Sequence, residues 1–183
     1  GDRIALGSAG YAISPNDSLA EGLKMTTDTR MQIASCSKPI TAVALIHLLE
    51  QKQVSVDTKV WEILRSKFRD PGKYVTEITI SDLLAHKSGY DFGYIETPYK
   101  ENAQELLSKD IPNKPDDKYR YSNINTALAR LILEILSKQD YFSYIQQELL
   151  TPINATSMTL KVDPNDAIYS YKYGESFDQG KPM

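Results

Sequence analysis

The chain of 183 residues carries a net charge of -3, with 25% charged and 41% apolar residues, the composition of an ordinary globular protein of one medium domain or two small ones. Lys and Arg are scattered, which excludes the basic stripe of a nucleic-acid binder, and no apolar run reaches the roughly 18 residues of a membrane span. Two histidines and a single cysteine, Cys36, exclude an internal disulfide and a structural zinc site.

In chain order, R-I-A-L-G-S-A-G-Y-A-I, residues 3–13, reads as a strand with small residues that allow close packing. No signal peptide is visible, and an opening Gly1 reads as a processed or trimmed start. Asn16-Asp17 is a turn signal. A helix is predicted from about Ser35 to Gln51, with Pro39 in its first turn, where a missing N–H costs nothing. Its residues are almost wholly apolar, so it is expected to be buried. Asp57 reads as the N-cap of a short helix carrying Val60, Trp61, Ile63 and Leu64. Thr79-Ile80-Ser81 leads into another, Asp82 to His86, stopped at Gly89. Residues 90–100 are aromatic and irregular, and Tyr90, Tyr94 and Tyr99 either border a cleft or pack on the helices.

A helix over 99–109 and a loop over 111–118 follow. Ser122 or Asn123 caps a long helix with Ile124, Leu128, Leu131, Ile132, Ile135 and Leu136 at apolar positions. A further helix spans about 140–150, and the tail from 163 is polar and Tyr-rich. The sequons at Asn16 and Asn154 read as chance matches. The prediction is an α+β chain organised as a strand segment, 1–34, a helical domain, 35–162, and an irregular tail, 163–183. Its strands lie at the two ends and supply only the edges of a sheet.

Ser35 and Lys38 stand three apart where a polar chain turns into the apolar run M-Q-I-A-S-C-S-K-P-I-T-A-V-A-L-I. A helix starting at Ser35 puts both on nearly one face. Its N-terminus offers free N–H groups and partial positive charge, so a hydroxyl there can attack a carbonyl while N–H groups hold the oxyanion. An ammonium at that positive end is pushed toward its neutral form, which accepts the serine proton. Taken alone, S-x-x-K is equally a helix cap and a solvated lysine. A second cluster, Y-R-Y-S-N-I-N, places Tyr121 and Asn123 on a loop before a helix. A tyrosine hydroxyl near a cation can relay protons, and an asparagine amide can hold a carbonyl; alone, they are a surface tyrosine and a cap.

In order, Ser35-x-x-Lys38, then L-L-A-H-K-S-G at 83–89, then Tyr121-x-Asn123 resemble the serine beta-lactamase and penicillin-binding-protein superfamily, in the branch of class C beta-lactamases, D-aminopeptidases and esterases. Q-K-Q-V-S-V-D, 51–57, and L-L-T-P-I-N-A-T-S-M-T-L, 149–160, are similar to that branch as well. The resemblance implies a beta-lactamase-like fold of which this chain holds mostly the helical domain and edge strands. It implies acyl transfer to water through an acyl-enzyme, with Ser35 as nucleophile, Lys38 and Tyr121 sharing general-base duty and Asn123 binding substrate. It implies no cofactor, no metal, a small-molecule or peptide substrate with an amide, lactam or ester carbonyl, and a periplasmic, secreted or cell-envelope setting.

The family's third motif, Lys-Thr-Gly or His-x-Gly on a strand, is not found after Asn123. Lys87-Ser88-Gly89 has fitting letters but precedes Tyr121, and belongs to the L-L-x-H-x-S-G turn; Lys172-Tyr173-Gly174 has Tyr where a small hydroxyl residue is expected. The C-terminal strands are therefore expected from a continuation of the chain or from a partner chain. The competing expectation is a non-catalytic fragment or relative serving as a binding or assembly module. His47 is twelve residues beyond Ser35, about 18 Å of helix rise and about 120° of rotation, and reads as a packed or interface residue. His86 reads as a structural hydrogen-bonder, and Cys36 has no histidine near it in sequence to activate a thiol.

Overall fold

Why does the apolar middle of the chain fold as it does? The computed structural model, which describes residues 5–13, 15, 22–31, 33–91, 102–155, 157–159 and 167–168, answers with two compact units. One comprises Gly1–Ser35 with Thr159–Met183, the other Cys36–Met158. The readings at Asn16-Asp17, Tyr94, Tyr99 and Lys172-Tyr173-Gly174 lie outside the described residues.

The first unit holds the strands. β1 (Tyr11–Ile13) pairs antiparallel with β2 (Leu23–Lys24), and β3 (Arg30–Met31) pairs parallel with β4 (Ala167–Ile168). Of the strand expected over 3–13, the described residues 5–13 form a strand only at the last three. Gly10, at φ 80°, turns the chain just before it.

The second unit is helical. Its longest helix, α1 (Ser37–Lys52), begins two residues later than the sequence suggests. Ala34 has φ 43°, and Ala34–Cys36 form a tight 3-10 turn before the α-helical winding starts. Pro39 remains in the first turn, among N–H groups that have no helical partner. Thr41, Ala44, Leu45, Leu48 and Leu49 form the buried stripe of α1 at helical spacing. The expectation of a wholly buried helix is corrected here, because Val43 and Ile46 on the other side are 52% and 40% exposed. α1 packs on α5 (Asn123–Ser137), and only the side facing that helix and residues 145–150 is covered within the unit.

α2 (Val60–Leu64) starts at Lys59 rather than at Asp57. The reason is a short antiparallel pairing: Val60 N–H donates to the Ile78 carbonyl at 2.9 Å and Ile80 N–H to the Thr58 carbonyl at 3.1 Å. Lys59 is therefore extended, and the helix can begin only at Val60. α3 (Ile80–Leu84) is closed by a capping box: Asp82 N–H donates to the Thr79 hydroxyl at 3.1 Å and Thr79 N–H to the Asp82 carboxylate at 2.8 Å. Asp82 is thus the third residue of α3 and the box partner, not its start.

α4 is Ala103–Ser108, shorter than the expected 99–109. Ser122 is the residue that caps α5, accepting from Ile124 N–H at 3.3 Å. α5 buries Ile124, Leu128, Leu131 and Ile132 against α1, α2 and α3, while Ile135 and Leu136 are half-buried. Asp140 caps α6 (Tyr141–Tyr144), which continues into a π-wound stretch, Ile145–Leu150. A hydrogen bond of 2.7 Å between the Thr41 and Tyr141 hydroxyls ties this segment to α1 inside the core. Among the described residues, no helix is long and apolar enough to cross a membrane.

Candidate active site

The N-terminal turn of α1 presents Lys38, and the loop before α5 presents Tyr121; the fold brings them together. The Lys38 ammonium nitrogen lies over the Tyr121 ring, 4.9 Å from its centroid. Both belong to the helical unit. Asn123 is the first residue of α5 and is exposed, with its helix start fixed by the Ser122 cap. Ser35 is the last residue of the other unit, exposed, in the turn that leads into α1. Its neighbour Ala34 occupies the left-handed region, which costs an L-residue about 1–2 kcal/mol.

Tyr121 is held by the turn after α3. The His86 carbonyl accepts from Arg120 N–H at 2.8 Å, and His86 Nδ1 accepts from Ser122 N–H at 3.2 Å. The residues on both sides of Tyr121 are thereby anchored to one histidine. The His86 ring stacks on the Tyr121 ring, centroids 4.8 Å apart and 25° between planes, and meets Tyr119 edge-on at 5.6 Å. Asn125 adds a second donor, its Nδ2 lying 3.0 Å from His86 Nδ1. With two N–H donors aimed at Nδ1, that nitrogen carries no proton. The Ser88 hydroxyl donates to Asn125 Oδ1, which fixes the amide with its nitrogen toward His86. Burial, and secondarily the charge of Lys38, hold His86 below the ordinary histidine value of 6.5.

The loop arriving at Tyr121 is clamped by Arg120 and Asp116, with contacts of 2.6 and 3.0 Å between guanidinium and carboxylate. That guanidinium, hydrogen-bonded to the carboxylate, is the main reason the Asp116 carboxyl lies down at about 2. Asp116 N–H also donates to the Lys87 carbonyl at 3.2 Å. Lys87-Ser88-Gly89 serves this turn: Lys87 pairs with Asp117 at 3.3 Å, Ser88 is fully buried, and Gly89 has φ 88°. A Cβ on Gly89 would lie 2.1 Å from the Asn113 carbonyl oxygen, so only glycine fits.

A cavity of about 230 Å³ lies between α1, α3 and α5, with Lys38, Thr41, His86, Asn125 and Ala129 among its walls. Among the described residues, no group of three or more His, Cys, Asp or Glu could hold a metal ion. Tyr90, read as either a cleft border or a packed residue, is fully buried. His47 is exposed on α1 and bonded to Gln51 at 2.9 Å, so of its two readings, packed or interface, the packed one does not hold. The roles of Ser88 and Asn125 escape the motif reading. The signal for Asn125 is its place on the apolar stripe of α5, three residues before Leu128 and seven before Ile132.

This arrangement agrees with a family model described as Beta-lactamase, which matches residues 1–180. The chain belongs to the beta-lactamase family. Protein flp of Staphylococcus aureus (strain MRSA252) is 28% identical over 152 residues, covering 78% of this chain and 30% of the relative. The chain thus spans under a third of the length of that curated relative. Among solved structures, the octameric penicillin-binding protein homologue from Pyrococcus abyssi is similar with a TM-score of 0.63 and 24% identity, over 79% of this chain and 35% of that one. A D-stereospecific amidohydrolase from Streptomyces sp. is similar with a TM-score of 0.58 and 23% identity, over 70% of this chain and 44% of that one. These likenesses establish a beta-lactamase-like fold, here a mostly helical part of an α+β domain.

Proposed function

We propose that this beta-lactamase family member supplies the nucleophile and base of a serine hydrolase acting on an amide, lactam or ester carbonyl. The observation that carries the reading is the convergence of Lys38 and Tyr121, with 4.9 Å between ammonium and ring. Ser35 Oγ attacks the carbonyl carbon, and its proton passes to the Lys38–Tyr121 pair. Backbone N–H groups at the start of the helix favour the oxyanion. The pair returns the proton to the leaving group, leaving an ester on Ser35. Water, deprotonated by the same pair, then releases the acid. Asn123, exposed at the start of α5, binds the substrate carbonyl or amide beside it. The similar D-stereospecific amidohydrolase supports carbonyl substrates as the class.

The alternative is a non-catalytic binding or assembly module. It would hold if the remainder of the protein supplied no third motif either, since losing one oxyanion donor costs about a hundredfold or more in rate. The two readings part on covalent labelling. The protein is incubated with a fluorescent penicillin and with a fluorophosphonate, and intact mass and peptide mapping follow. Hydrolase chemistry predicts an adduct at Ser35 that disappears in Ser35→Ala. An unmodified wild-type protein with every acylating agent refutes it. A panel of a chromogenic cephalosporin, nitrophenyl esters and D-Ala peptides on the full-length protein then ranks the substrates.

A further inference from the structure

We propose that His86 is a positioning residue for Tyr121: it fixes the phenol over Lys38 by binding both flanks of the tyrosine and stacking on its ring. The inference rests on the reading of Lys38 and Tyr121 as the base pair of the reaction. His86 itself touches no substrate in this scheme.

Three independent contacts converge. The main chain of His86 accepts from Arg120, its Nδ1 accepts from Ser122, and its ring lies 4.8 Å from that of Tyr121. A loop tyrosine held at both neighbouring peptides and along its face loses most of its freedom before substrate arrives. The backbone of His86 is itself left-handed, at φ 56°, an unfavourable conformation for most residues that histidine, asparagine and aspartate adopt more readily. That conformation turns the carbonyl and the imidazole toward the same strand of loop.

The half-buried imidazole is in turn held in one orientation by the buried pair Ser88 and Asn125, through Asn125. Because Asn125 Nδ2 and Ser122 N–H both donate to Nδ1, the proton of the neutral ring sits on Nε2. A purely structural histidine packed in a core would need neither the stacked tyrosine nor the bond to the residue beside it. The geometry therefore predicts separable losses. Asparagine at position 86 keeps an acceptor near the place of Nδ1 and tolerates the backbone, yet removes the ring. Phenylalanine keeps a ring and removes the acceptor.

The test combines kinetics with spectroscopy on the whole protein. Wild type, His86→Asn and His86→Phe are compared for the acylation rate constant and the affinity of a fluorescent penicillin or a fluorophosphonate, whichever labels wild type. The expected result is a fall of about tenfold or more in acylation rate for each variant, with affinity within about twofold and His86→Asn retaining the wild-type melting temperature. Wild-type acylation rates in both variants overturn the proposal, and so does a loss confined to affinity. If wild type is not acylated at all, the hydrolase reading fails by itself. The positioning claim is then decided by NMR, which needs no turnover. It requires ring-to-ring nuclear Overhauser contacts between His86 and Tyr121 and an unprotonated Nδ1 at neutral pH. Their absence overturns it.

Discussion

Lys38 and Tyr121, one in the first turn of α1 and the other just before α5, meet with the ammonium over the ring face at 4.9 Å. The ring face attracts the cation, worth about 0.5–1 kcal/mol at exposed sites. The hydroxyl is a separate asset. Tyr121→Phe keeps the ring and deletes the phenol, so acylation of Ser35 is expected to fall about a hundredfold, while stability changes by under about 0.5 kcal/mol. Labelling rates and urea melts on the same preparations check the pair of outcomes. A Phe variant that labels at the wild-type rate removes Tyr121 from the base.

Ser88 and Asn125 are both fully enclosed, and the hydroxyl of one is bonded to the amide of the other. Ser88→Ala leaves the buried Asn125 Oδ1 without that donor. The expected cost is about 1–3 kcal/mol of unfolding free energy. Equilibrium denaturation measures it, and a cost under about 0.3 kcal/mol would show that water replaces the hydroxyl.

The two candidate motifs could be proposed from the sequence because each is local: Ser35-x-x-Lys38 and Tyr121-x-Asn123 need only short spacings and a helix start. The long helices were legible from the period of Leu45, Leu48, Leu128 and Ile132. What held Tyr121 in place was not legible, because His86 reaches it across a turn whose backbone, φ 56° at His86 and 88° at Gly89, leaves no mark in a hydropathy pattern. The start of α2 moved for a similar reason. Pairing of residues 58–60 with 78–80 is a long-range contact that overrode the local capping signal at Asp57. Asn125 lay in view, a polar residue on an apolar stripe, and the stripe alone does not say what it binds.

The division of α1 into a covered and an uncovered side makes a stability prediction. Leu45 is fully buried, whereas Val43 and Ile46 are 52% and 40% exposed. Leu45→Ala is expected to cost about 2–5 kcal/mol by emptying packed volume. Val43→Ser with Ile46→Ser is expected to cost only about 1–2 kcal/mol for the pair, because about half of each side chain is already in water. Urea midpoints of the three proteins test the contrast. A large loss in the serine double variant would mean that this side is covered in solution.

Acid should weaken the helical unit through His86. Burial and the Lys38 charge hold its folded value below the ordinary 6.5, so the unfolded chain takes up the proton first as pH falls. Stability from this group is complete above about 6.5, where both states are neutral, and declines as pH falls toward the folded value. The structural counterpart is direct: a proton on Nδ1 removes the acceptor used by Ser122 and Asn125. Wild type is therefore expected to show a lower urea midpoint at pH 5.5 than at pH 7.5, with the carboxylates contributing a common background. In His86→Asn, which cannot titrate in this window, the difference between the two conditions should shrink. An unchanged difference in that variant would assign the acid sensitivity to other groups and leave the neutral His86 without a measurable role in stability.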